Sequence, residues 1–155
     1  MYTKAALISA LVGLAAAAPV PSATFETTDN TTTVFSYNPT TQTLSLDAAV
    51  PGGQRTFVRA DASLGFTQAH SASLPGDAYT SPFDNTPQTS EGSTGTLTFE
   101  GKSFSACPDG TSSPSGQTVY QLFADAVRPE DRGEDCIGVR FATAIWRGPI
   151  AYEYV

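Results

Sequence analysis

The chain has 155 residues, 40% of them hydrophobic, with nine Phe, six Tyr and one Trp. That is enough apolar and aromatic side chain to enclose a core, and it excludes a wholly disordered polymer. The formal charge is −7, and beyond Lys4 only Lys102 and six scattered arginines are basic, which excludes the clustered cations that nucleic acid or anionic lipid would need.

The first residues have the three parts of an export signal. Lys4 gives a positive start, Ala5–Leu14 is an apolar run, and Ala15-Ala16-Ala17-Ala18 supplies small residues for cleavage. The apolar run is shorter than the roughly 20 residues a membrane helix requires, and Pro19 and Pro21 close it. Residues 1–18 are therefore expected to be a signal peptide, 19–32 a polar leader and 33–155 a β domain, exported and free of the membrane after cleavage. Asn30-Thr31-Thr32 in the polar leader fits the N-glycosylation pattern, which makes Asn30 a candidate glycan site.

The body reads as short strands. Thr33–Tyr37 is β-branched and aromatic, Asn38–Thr41 is a turn, and Leu44 and Leu46 share one face of the strand that follows. Pro51-Gly52-Gly53 marks the next turn; Arg55–Ala60 is a strand, and Leu64 and Phe66 continue the alternation. From His70 to Gly95 the chain is rich in Pro, Gly, Ser and Thr, and reads as a long loop with one short strand inside it. Thr96–Phe99 and Phe104–Cys107 flank a hairpin-like turn at Glu100-Gly101-Lys102. Val119–Ala124 is apolar on both faces, as a central strand is. Ile137–Ile145 is read as one strand with Ile137, Val139, Phe141, Thr143 and Ile145 on a single face. No stretch after the leader has a helical period. The fold class is all-β: a small single-domain β-barrel or β-sandwich, with a β-trefoil as the alternative.

Cys107 and Cys136 are the only cysteines, and in an oxidising exterior they are expected to form a disulfide. His70 is the only histidine, so no metal or other cofactor is expected. His70 lacks a nucleophile motif around it and reads as a surface loop residue. Carboxylate candidates for glycoside hydrolysis are Asp47, Asp61, Asp77, Asp84, Glu100 and Asp125, but no spacing selects a pair. The acidic run Glu130, Asp131, Glu134, Asp135 is broken by Arg132 and preceded by Arg128, and reads as a soluble loop rather than a calcium site. Ser/Thr/Pro clusters at 86–98 and 111–118 are candidate O-glycan carriers. Tyr79, Phe83 and Trp146 are candidates for stacking on sugar rings, with core packing as the competing role.

Thr98-Phe99-Glu100-Gly101, then Ala106-Cys107-Pro108, the apolar Val119–Ala124 and Cys136-Ile137-Gly138-Val139-Arg140-Phe141-Ala142 together resemble the fungal phialide cell-wall proteins, the PhiA-like family of small secreted proteins. Thr43-Leu44-Ser45-Leu46, Thr56-Phe57-Val58 and Leu64-Gly65-Phe66-Thr67 run in similar order upstream, so the likeness covers roughly residues 43–144. The chain departs from the family in a shorter segment before Thr33 and in lacking further cysteines. The resemblance implies a secreted cell-wall protein of spore-bearing structures, with some relatives described as IgE-binding antigens. It implies no catalytic residues, and its two cysteines map onto Cys107 and Cys136. The expected function is thus a glycosylated, non-enzymatic, wall-associated structural or developmental protein whose partner is cell-wall polysaccharide. The alternatives are a carbohydrate-binding or carbohydrate-cleaving module, or an effector or inhibitor acting through loop 71–95.

Overall fold

The alternation of apolar and polar residues is realised as antiparallel strands. A computed structural model describes residues 3–8, 34–47, 49, 54–90, 93–112, 116, 118–127, 133 and 135–145. Among the described residues there are eleven strands and no helix: β1 (Thr3–Ile8), β2 (Val34–Asn38), β3 (Thr43–Leu46), β4 (Gln54–Val58), β5 (Leu64–Phe66), β6 (Phe83–Thr86), β7 (Gly95–Phe99), β8 (Phe104–Ser112), β9 (Thr118–Ala124), β10 (Ile137–Val139) and β11 (Phe141–Ile145). They form an eight-stranded sheet, in the order β5-β4-β3-β2-β1-β11-β7-β6, and a three-stranded sheet, β10-β8-β9. The all-β expectation holds, with the large sheet open at both edges rather than closed into a barrel.

Turn chemistry joins neighbouring strands. Between β2 and β3 the Asn38 carboxamide oxygen accepts from the backbone N–H groups of Thr40 and Thr41 (3.0 and 3.3 Å), and Gln42 takes a positive φ of 52°. Between β7 and β8 the two loop residues Glu100 and Gly101 both have positive φ, 48° and 71°, the geometry of a primed two-residue hairpin turn. Phe99 and Lys102 close it by exchanging both backbone hydrogen bonds at 3.0 Å. Beyond that bridge the strands part, β7 into the large sheet and β8 into the small one.

The split gives the two sheets a common core. Phe35, Tyr37, Leu44, Leu46, Val58, Phe83, Leu97, Phe99 and Phe141 of the large sheet pack with Phe104, Ala106, Ala124 and Val139 of the small one. Phe83 and Phe99 are directly opposed in the ladder, with ring centroids 4.9 Å apart and an interplanar angle of 64°. Phe104 and Phe141 repeat that edge-to-face packing across the two sheets at 5.0 Å, the arrangement that brings positive ring edges to negative ring faces. Close strand approach is also built in: a Cβ on Gly95 would lie 2.1 Å from the Thr86 carbonyl oxygen and 2.5 Å from Thr143 Oγ1.

Two strand readings are corrected. Val119–Ala124 is not central: β8 is the middle strand of the small sheet, and β9 is its edge. The outer edge of β9 is met by the turn before β5: Ser63 bridges Phe123 and the Ala124 N–H donates to the Ala62 carbonyl at 2.9 Å. Ile137–Ile145 is two strands, not one, because the chain crosses from the small sheet to the large at Arg140. The single inward face survives the crossing, with Val139, Phe141 and Thr143 all buried.

Candidate functional site

The exposed large hydrophobic side chains among the described residues are Phe66, 41% exposed, and Tyr79, 49% exposed. Strand register brings them to the same side of β4. Phe66 is opposed to Thr56 through β5, and Tyr79 is opposed to Val58 on the other flank of β4. Opposed residues of an antiparallel pair point to one face, and Thr56 and Val58, two apart, share that face. Two strand spacings separate the flanks, so the aromatic positions lie on the order of 10 Å apart.

Each is held by its surroundings. The Phe66 ring leans on Phe35 at 6.2 Å between centroids. Just after it, the Thr67 N–H donates to the Arg55 carbonyl (2.9 Å) and the Arg55 N–H to Thr67 Oγ1 (2.8 Å), fixing the end of β5. Tyr79 comes from the long loop, but it exchanges backbone hydrogen bonds with Val58 at 2.7 and 2.8 Å, and Ala78 N–H closes a turn on the Pro75 carbonyl. The Asp77 carboxylate accepts from the Ala60 N–H at 3.4 Å. The outcome is two half-exposed aromatic rings held on a strand scaffold, one at each flank of β4, with the fully buried Thr56 and Val58 between them.

The stacking candidates from the sequence divide three ways. Tyr79 is exposed as such a role requires; Phe83 is fully buried in the core, which overturns its candidacy; Trp146 lies outside the described residues. In the sequence Phe66 only continues a strand's alternation. Its exposure follows from its place at the end of a three-residue strand, which periodicity does not reveal.

The candidate carboxylates are dispersed and engaged in local structure. Asp61 Oδ1 accepts from the Ser63 N–H and hydroxyl at 2.9 and 2.6 Å, holding a tight turn in which Ala62 has a φ of 71°. Asp84 accepts from the Gln42 amide at 2.7 Å, which ties the β2–β3 turn to β6. Asp125 accepts from the buried Ser105 hydroxyl at 3.0 Å. Glu100 sits exposed in the β7–β8 turn, and Asp47 follows β3 half-buried. His70 is exposed with a φ of 61°, in a turn of the long loop. Among the described residues no group of three His, Cys, Asp or Glu is placed to hold a metal ion. Asn30, Glu130, Asp131 and Glu134 lie outside the described residues.

Cys107 and Cys136 form a disulfide. The β8–β10 ladder explains the pairing: Ala106 is opposed to Ile137, and continuing that register by one residue sets Cys107 against Cys136. The bond fastens the short β10 to β8, and both cysteines are half-buried.

A family model described as PhiA-like secreted protein matches residues 3–155. The chain belongs to the PhiA-like secreted family. An uncharacterised secreted protein of the fungus Arthroderma benhamiae is 32% identical over 118 residues, covering 71% of this chain and 57% of that protein. The chain thus spans a little over half the length of the curated relative it matches. No solved structure matches it. Membership of this family, together with the secreted relative, establishes the protein as a secreted one and agrees with the resemblance read from the Cys107 and Cys136 segments.

Proposed function

We propose that this protein is a non-enzymatic, glycosylated, wall-associated component that holds cell-wall polysaccharide against Phe66 and Tyr79. The observation that carries this reading is the pair of half-exposed aromatic side chains at the two flanks of β4, each anchored by backbone hydrogen bonds. Sugar rings have apolar faces that stack on aromatic rings, and a polymer presents them at regular intervals, so two separated rigid platforms suit a chain better than a single small ligand. Secretion places the protein where such polymers are. The structural use of Asp61, Asp84 and Asp125 in turns and strand contacts supports a binding rather than a cleaving role.

The test is retention of the secreted protein on insoluble fungal wall polysaccharide, with Phe66→Ala, Tyr79→Ala and the double substitution. Each half-exposed ring contributes roughly 1 kcal/mol of apolar contact when covered. The double substitution is therefore expected to weaken retention on the order of 30-fold. Unchanged retention with both rings removed would refute this surface as the binding site.

A further inference from the structure

A carboxylate stands beside the Tyr79 platform. Tyr79 and Val58 exchange both backbone hydrogen bonds, so in an antiparallel ladder the next such exchange would join Ala60 to residue 77. The chain turns there instead, with the Ala78 N–H donating to the Pro75 carbonyl at 3.1 Å. The Asp77 carboxylate, in place of a backbone carbonyl, then accepts from the Ala60 N–H at 3.4 Å. It is thereby set two residues along from the partner of Tyr79, on the order of 7 Å. The ladder also leaves the core at this point: Val58 is fully buried, whereas Ala60, Asp77 and Tyr79 are exposed. Arg59 is turned away, with its guanidinium over the Phe57 ring at 5.6 Å from the centroid. Phe57 packs on the other face of β4, where a Cβ on the opposed Gly65 would come within 2.8 Å of its ring. No other Lys or Arg occurs between Val58 and Tyr79, while Asp61 adds a second acidic side chain next to Ala60.

We propose that the polymer held at Tyr79 is an amino-sugar polymer with free, protonated amines, an amine of the bound unit being held by the Tyr79 ring and the Asp77 carboxylate. The proposal rests on the polysaccharide-binding reading above and names the class of sugar. An aromatic face attracts a cation as well as an apolar sugar face, and Tyr is among the rings that do so. A carboxylate within reach of the same ligand adds a charge-assisted hydrogen bond that a neutral N-acetyl group cannot make. Ring and carboxylate are separated along the strand by about one sugar unit with its substituent, so one unit can meet both. The charge of the whole chain, −7, points the same way: it draws a polycation and repels an anionic polymer. Phe66, on the other flank of β4, stacks without regard to charge and serves a further unit of the chain.

The test is calorimetric titration of the secreted protein with glucosamine and N-acetylglucosamine oligomers of equal length, in a mildly acidic buffer that keeps the amines charged. The glucosamine oligomer is expected to bind about tenfold more tightly, from one exposed ion pair and one cation–ring contact. Asp77→Asn is expected to cut that preference to about threefold, the share left to the ring. Tyr79→Phe is expected to keep the full preference and Tyr79→Ala to weaken binding of both oligomers. Asp109→Asn removes one charge from the exposed β8–β9 hairpin and is expected to leave the preference as it was. Equal reductions by Asp77→Asn and Asp109→Asn would overturn the proposal in favour of attraction by net charge alone. Equal binding of the two oligomers, weakened by Tyr79→Ala, would overturn it while leaving the polysaccharide-binding reading intact. Binding of neither oligomer, with wall retention indifferent to loss of both rings, would overturn both.

Discussion

Thr56 sits fully buried in β4 with a hydroxyl that has no hydrogen-bond partner. A buried hydroxyl without a partner costs free energy, and Val has almost the same shape without the polar atom. Thr56→Val is expected to leave stability unchanged or raise it by up to about 1 kcal/mol; urea unfolding checks this, and a clear loss would mean the hydroxyl is bonded. Asp109 is a case of the opposite kind. The Thr111 hydroxyl and then the Thr111 N–H donate to its carboxylate, holding its pKa below the ordinary 3.8. Its folded-state pKa is depressed, so its contribution is present above the ordinary value and is lost as pH falls through the lowered one. Carboxyl titration by NMR should show a low Asp109 midpoint that moves up toward 3.8 in Thr111→Val. Neither feature is legible in the sequence, because both depend on which hydroxyl meets which group after folding. Phe83 is of the same kind: its residue type and loop setting leave sugar stacking and core packing both open, and only the short strand it begins, opposed to Phe99, places it in the core.

At the scale of elements the hairpins were readable and the sheet crossings were not. Leu44 and Leu46, Leu97 and Phe99, and Val139 and Phe141 announce their inward faces by period-2 alternation. The Glu100-Gly101 turn is visible from its residue types. Alternation, however, carries no information about partners. It therefore could not show that β9 lies at an edge or that Arg140 marks a change of sheet. The disulfide is what secures β10, one of the two three-residue strands among the described residues. It closes a separation of 29 residues, and loop-closure entropy for such a length stabilises by about 3–4 kcal/mol in the chain-entropy model. Replacing both cysteines, Cys107→Ser with Cys136→Ser, is expected to lower stability by about that amount, with thermal and urea unfolding as the check. The three-residue β10, held to β8 by this bond, should lose amide protection before the β2–β3 hairpin does.

For the whole molecule, composition and strand spacing were sufficient for an all-β exported domain, and the Cys107 and Cys136 segments for the PhiA-like resemblance. The proposed binding surface is only half legible. Tyr79 stands out as a loop aromatic, while Phe66 lies in an ordinary alternating run and emerges only where β5 stops. The proposed role is that of a secreted β domain whose ring pair holds a stationary polymer. Fractionation of a fungal culture secreting this chain into wall extract and medium measures that directly. Recovery with the wall, diminished by the Phe66→Ala, Tyr79→Ala double substitution, is the predicted result; recovery entirely in the medium, with none bound to the wall, would contradict it.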